Sequence, residues 1–260
     1  MHNDDGQPRL HAIDASGADH GHFDILDASH QDWEDLTLVP SPDGDWLVIG
    51  DIGDNRLRRD SIQLYFVAEP APLPGPGEIG AYASSHSISL HYPDGPRDAE
   101  ALAFDALSQT LLILTKRDLP PRLYALPLAT ALAEKQAQLQ FLGPVDRFRP
   151  PSGWDMQNFG KRAAWVSQPT GMDIAADGGQ AAVISYRSVY LFERGASDDG
   201  THLLNGEPLE FIGPPGRHEE AISYEASGRT ILITTEGQPA PVFRFEVKAR
   251  SSIGEEVPEP

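Results

Sequence analysis

Four segments of this chain start alike and continue alike, so the fold must be built by repeating one unit. The starts are Trp33-Glu34-Asp35-Leu36, Ala99-Glu100-Ala101-Leu102, Gly171-Met172-Asp173-Ile174 and Glu219-Glu220-Ala221-Ile222, with a glutamate in second place in three of them. A turn then leads to a second apolar run that ends in polar residues: Leu47 to Asp51, Leu111 to Lys116, Ala182 to Tyr186, and Ile231 to Glu236. Each pair reads as an antiparallel hairpin. A third run with an aromatic residue follows through Tyr65, Tyr124, Tyr190 and Phe243, and the first three copies add a fourth at Ile88 to Leu90, Leu139 to Phe141 and Leu209 to Phe211.

Four strands per unit match the blade of an all-β β-propeller, with sheets set radially around a channel. The successive spacings between Leu36, Leu102, Ile174 and Ile222 are 66, 72 and 48 residues, so insertions fall in loops. Leu10 to Ile13 and Phe23 to Leu26 read as the third and fourth strands of a further unit whose inner strand is absent, so the chain is expected to open inside a blade. Five four-stranded blades are expected, the first incomplete, with six the alternative. They form one domain over residues 1–247, followed by a loose polar tail over 248–260. One short helix is expected within Ala129 to Gln138, between strands three and four of a blade.

With 39 acidic and 20 basic residues the net charge is −19, which argues against nucleic acid and favours cations. No stretch reaches membrane-spanning length, and a monomer is expected. The chain has no cysteine, so disulfides, zinc-thiolate sites and thiol nucleophiles are excluded.

In a hairpin the start of the first strand and the end of the second share one end of the sheet. Glu34 and Asp35 are therefore expected near Asp51, Asp54 and Asn55; Asp98 and Glu100 near Lys116 and Arg117; Asp173 near Arg187; and Glu219 and Glu220 near Glu236, all around one channel mouth. Crowded carboxylates need a cation or raised pKa values. Calcium suits an oxygen donor set such as Glu34, Asp35, Asp51, Asp54 and Asn55, and Asn3-Asp4-Asp5-Gly6 is a weaker candidate. The alternative is that these acids cap turns and pair with Arg56, Arg58 and Arg59. Glu220 facing Glu236 is the best candidate for an acid/base pair.

Other chemistries fall away. His218-Glu219-Glu220-Ala221-Ile222 lacks the second histidine of a zincin helix, Gly153 to Lys161 has the wrong spacing for a phosphate loop, and there is no G-x-S-x-G elbow. The basic, aromatic connection from Gly143 to Thr170, with Trp154 and Trp165, reaches the same mouth. It reads either as a lid that binds an anion or as a loop packing its tryptophans on the propeller.

The segments Asp32-Trp33-Glu34-Asp35-Leu36, Gly50-Asp51-Ile52-Gly53-Asp54-Asn55, Asp98-Ala99-Glu100-Ala101-Leu102, Thr115-Lys116-Arg117 and Glu219-Glu220-Ala221-Ile222 resemble an uncharacterised bacterial family of exported β-propellers. The resemblance implies a periplasmic or extracellular location. Members usually carry a further N-terminal segment with a first inner strand and an export signal, and this sequence shows neither. More distantly, the pattern is similar to calcium-dependent phytases and the gluconolactonase group, which hold divalent cations in or over the channel. That likeness implies a metal at Glu34 with Glu220 opposite, Asp173 as a base, and Lys116, Arg117, Arg187 and Arg56 around an anionic substrate.

Two functions are expected to compete. One is a binding or scaffold propeller with calcium in an acidic ring, whose mouth takes a small anion, a protein or a glycan. The other is a calcium-dependent hydrolase of a small phosphate ester or lactone, using metal-activated water.

Overall fold

A computed structural model describes residues 6–14, 16–70, 75–196, 198–213, 219–235 and 240–247. The described strands form five sheets arranged as the blades of a β-propeller. The first blade contributes β1 (Arg9–Ile13) and β2 (Asp19–Ile25), and the second β3 (Trp33–Val39), β4 (Trp46–Asp51) and β5 (Ile62–Ala68). After β6 (Ile79–Tyr82) the second blade resumes with β7 (His86–His91). The third holds β8 (Ala99–Asp105), β9 (Thr110–Thr115) and β10 (Arg122–Pro127), then α1 (Leu128–Ala133), β11 (Gln136–Gln138) and β12 (Gln140–Pro144). Helix α2 (Gly153–Phe159) and a 3-10 stretch, Gly160–Ser167, lead into the fourth blade, β13 (Pro169–Ile174), β14 (Gln180–Ser185), β15 (Ser188–Glu193) and β16 (Leu209–Ile212). The fifth is β17 (Glu219–Tyr224), β18 (Thr230–Thr235) and β19 (Val242–Glu246).

The blades hold three to five strands where four each were expected, and the connections explain the difference. On its way from β5 to β7 the second blade lays β6 parallel along β2, the outer strand of the first blade, with His22 opposite Ile79 and Ile25 opposite Tyr82. The third blade does the same between α1 and β12, laying β11 parallel along β7. Each borrowed strand covers an edge that would otherwise expose unpaired backbone groups. The helix expected over Ala129 to Gln138 is thus shorter, because Gln136–Gln138 pair as a strand. In the fourth blade the same connection reaches back without a strand: Arg194 pairs with the buried Asp105 at 2.7 Å.

Apolar faces of neighbouring sheets form four cores, between successive blades from first to fifth. Strand β8, flanked by β3 and β13, is buried at every residue. This double burial is why its sequence, like that of β9, runs continuously apolar instead of alternating.

Candidate functional site at the channel mouth

Each of the four described inner strands carries a β-bulge at the same point. Pairing skips one residue between Trp33 and Asp35, Ala99 and Ala101, Pro169 and Gly171, and Glu219 and Ala221. The extra residues are Glu34, Glu100, Thr170 and Glu220. A bulge frees a residue from the ladder and re-aims its side chain. The glutamates therefore leave the inter-blade packing and turn to the mouth.

The register also corrects the alignment of the fourth blade. Gly171 opposite Ile184 corresponds to Asp35 opposite Gly50, so Thr170, not Met172, holds the glutamate position. Asp173 then corresponds to Thr37, and the two behave alike. Thr37 Oγ1 accepts the N–H of Phe104 on the next blade at 3.1 Å, and Asp173 accepts that of Tyr224 at 2.7 Å. Burial pushes the Asp173 carboxyl up to about 6, against the hydrogen bonds from Tyr224 and Ile174. Arg187, its expected neighbour, instead pairs with the buried Asp155 of α2.

Lys116 follows β9 at the place where Ile52 follows β4 and Tyr186 follows β14. Its ammonium donates to Glu100 and, at 2.8 Å, to the Tyr186 hydroxyl, which in turn donates to Glu220 at 3.2 Å. This chain of hydrogen bonds joins the third, fourth and fifth blades. Burial works against the Lys116 charge, but Glu100 and Tyr186 outweigh it and hold its pKa above the ordinary lysine value. Burial raises Glu100 above the usual carboxylate range, with Lys116 opposing.

Among the described residues Glu34 has no such cation of its own. Burial, with Glu100 and Asp32 beside it, pushes its carboxyl up to about 11. Asp32 is raised too, by burial and by Asp98 and Asp51. The two side chains meet over Gly53: a Cβ there would lie 2.4 Å from Glu34 Oε1 and 2.6 Å from Asp32 Oδ2. Only glycine leaves room for that pair of carboxyls.

The loop after β4 is held by the other acids. Asp51 accepts from Arg59 at 2.7 Å and from the backbone N–H groups of Gln31 and Asp32. Asp54 accepts from the N–H groups of Arg58 and Arg59 at 2.6 and 2.7 Å, while its own N–H donates to Asp98 at 2.7 Å. Asn55 accepts from Arg117, whose Nε also binds Asp98 at 2.5 Å. Beside this loop lies an open cavity of 590 Å³ lined by Gln31, Asp32, Gly53, Arg56 and Arg58 among others.

Of the proposed calcium ligands, Glu34 faces the mouth, whereas Asp51, Asp54 and Asn55 carry the bonds just described. Asp35 lies among the inner strands, accepting from Leu36, Leu102 and, at 3.4 Å, Met172. Of the anion candidates, Lys116, Arg117 and Arg187 all hold acidic or amide partners of this chain. Glu236 and Asn3 to Asp5 lie outside the described residues, as does the segment 248–260. Trp154 is 64% exposed and Trp165 37%, so the insertion does not bury its tryptophans. A second acidic group, Asp198, Asp199 and His202, has ligand atoms within 4.8 Å of one another, and Asp198 Oδ1 there caps the N–H groups of Gly200 and His202.

Sequence reasoning missed Tyr186, Asp32 and Gly53. Tyr186 holds the register position of Lys116 at the end of the second apolar run, but a tyrosine there carries no charge to mark it as part of a polar ring.

Among the described residues no helix is long and apolar enough to cross a membrane. No family model and no curated protein matches the chain. Among solved structures it is similar to a periplasmic gluconolactonase of Pseudomonas aeruginosa, at 12% identity and TM-score 0.47, over 94% of this chain and 65% of that one. A gluconolactonase of Xanthomonas campestris gives 16% identity and TM-score 0.43, over 91% and 66%. A hydrazine synthase of Kuenenia stuttgartiensis gives 12% and 0.39, over 85% and 49%. The chain thus spans between about half and two thirds of the length of these proteins.

Proposed function

We propose that this protein is a binding propeller whose channel mouth takes a divalent cation between Glu34, Asp32 and Glu100. The observation that carries the reading is the Glu34–Asp32 pair over Gly53. Two carboxyls pressed together with raised pKa values are an oxygen donor set awaiting positive charge, which a proton supplies when a cation does not. The all-oxygen donors favour calcium over softer metals. Arg56 and Arg58, exposed on the adjoining cavity, are the bases available to a small anionic ligand beside the cation. A location outside the cytoplasm is part of this reading and rests on the family resemblance.

A hydrolytic reading draws on the Lys116–Tyr186–Glu220 chain. There the cation would activate water, Glu220 would accept its proton, and a lactone or phosphate ester would be the substrate. Asp173, bonded to two backbone N–H groups, serves the fold better than it serves as a base.

Calcium titration with Glu34→Gln as control tests the first reading. Saturable binding that the variant weakens at least tenfold is expected, and equal binding by both proteins contradicts the site. Loss of lactonase or phosphatase turnover in Glu220→Gln, with calcium binding retained, would favour the hydrolytic reading.

A further inference from the structure

Helix α2 is built inside out. A helix on the surface of a globular domain ordinarily buries an apolar stripe and turns its polar residues to water. In Gly153–Phe159 the one buried residue is a carboxylate, Asp155, held by Arg187 from the turn after β14 and by the Ser152 capping box. The apolar residues face solvent instead: Trp154 is 64% exposed, Met156 58% and Phe159 46%. The Trp154 and Phe159 rings meet edge to face with centroids 5.6 Å apart, so they form one patch. Trp165, in the 3-10 stretch that follows, is 37% exposed and carries the Arg162 guanidinium 5.2 Å from its ring centroid.

Burying these side chains would stabilise the fold, so their clustering in water points to a surface that meets them from outside. The charges around them have one sign. From Arg147 to Ser167 every exposed charged residue is basic, and Lys161 and Arg162 directly follow the aromatic patch, in a chain whose net charge is −19. Aromatic rings flanked by lysine and arginine suit the interface of an anionic bilayer, where the rings lie at the level of the headgroups and the bases meet lipid phosphates. Such a surface carries negative charge uniformly along its plane, which matches a patch ringed by bases alone. Screening over about 8 Å at physiological ionic strength lets the patch act locally despite the acidity of the rest of the chain.

We propose that this insertion is a membrane-docking surface whose occupant is the headgroup region of an anionic lipid bilayer. Trp154, Met156 and Phe159 enter the interface, and Lys161 and Arg162 contact the anionic headgroups. Because Arg187 ties α2 to the mouth end of the fourth blade, docking brings the channel mouth near the lipid.

The probe is a vesicle of equimolar phosphatidylglycerol and phosphatidylcholine, sedimented with the full chain in EDTA so that the result does not depend on the cation site. Binding is expected to be about tenfold or more tighter than to phosphatidylcholine alone, to weaken as salt is raised, and to shift tryptophan emission to the blue. The Trp154→Ser/Phe159→Ser variant, altered at exposed positions, should keep its Tm and lose about tenfold or more in affinity. Lys161→Glu/Arg162→Glu should lose the preference for anionic vesicles. Absence of vesicle binding, equal binding to both vesicles, or undiminished binding by the aromatic variant overturns the proposal. Binding that emerges only when residues 248–260 are removed also overturns it, since that acidic tail would then be the occupant, as does a dimer that buries Trp154 without lipid.

Discussion

The Asp35 carboxylate, on the inner strand of the second blade, accepts the backbone N–H of Leu102, on the inner strand of the third, at 2.8 Å. The same carboxylate takes the N–H of Leu36 on its own strand and, at 3.4 Å, that of Met172 on the fourth blade, so one side chain serves three donors among the buried inner strands. Thr37 and Phe104 repeat the device two residues on, and Asp173 and Tyr224 repeat it two blades on.

Replacing Asp35 with Ala should therefore destabilise the propeller. The N–H groups of Leu36 and Leu102 lose their acceptor, at roughly 1–3 kcal/mol each, and Met172 loses a longer contact. Urea unfolding would record a fall of about 2–5 kcal/mol with an unchanged m-value. A change below about 0.5 kcal/mol would contradict the inter-blade role.

Glu34 should make stability depend on pH. Its folded pKa is raised, so between the ordinary glutamate value and about 11 the folded state holds a proton that the unfolded state has lost. Stability then falls as pH rises through that window. In EDTA, wild type should lose about 1–2 kcal/mol relative to Glu34→Gln between roughly pH 6 and 9, a modest figure because the carboxyl keeps some solvent contact. Parallel stability curves for the two proteins would remove the effect.

Gly53→Ala introduces a methyl group where Glu34 and Asp32 meet. The two carboxyls are ends of side chains that can swing away, so the fold should survive with a Tm change of a few degrees while calcium affinity drops about tenfold or more. Calorimetric titration of the variant checks this, and undiminished affinity would show that the pair is not the cation site.

Arg187→Ala leaves Asp155, on the buried side of α2, without its cation. The Ser152 capping box remains, with Ser152 Oγ donating to Asp155 at 2.6 Å, so the helix itself should persist. Its hold on the propeller should loosen, seen as proteolysis near Lys161 several-fold faster than in wild type. Equal cleavage rates would mean that other contacts fix the insertion.

Most of the fold was legible because the apolar runs of β8, β9, β14 and β18 recur with turns between them, and buried strands announce themselves in that way. The expected pairings of Glu100 with Lys116 and of Asp98 with Arg117 follow from hairpin geometry, and both form. Strands β6 and β11 were not legible. Ile79–Tyr82 and Gln136–Gln138 are short and weakly patterned, and they become strands only because an outer edge of the preceding blade is there to receive them. The fourth blade misled for a different reason. Met172-Asp173-Ile174 imitates Glu34-Asp35-Leu36 in type, and a two-residue offset keeps every side chain on its proper face, so only the pairing register reveals Thr170.

Thermal melting of the purified protein, first in EDTA and then across a calcium titration with magnesium at equal ionic strength, tests the cation site most directly. A ligand that binds only the folded state stabilises it by RT ln(1 + [L]/Kd), so a saturable, calcium-selective rise in Tm that Glu34→Gln abolishes is the result expected. A flat Tm through millimolar calcium, or an equal rise in Glu34→Gln, would contradict a cation between Glu34, Asp32 and Glu100.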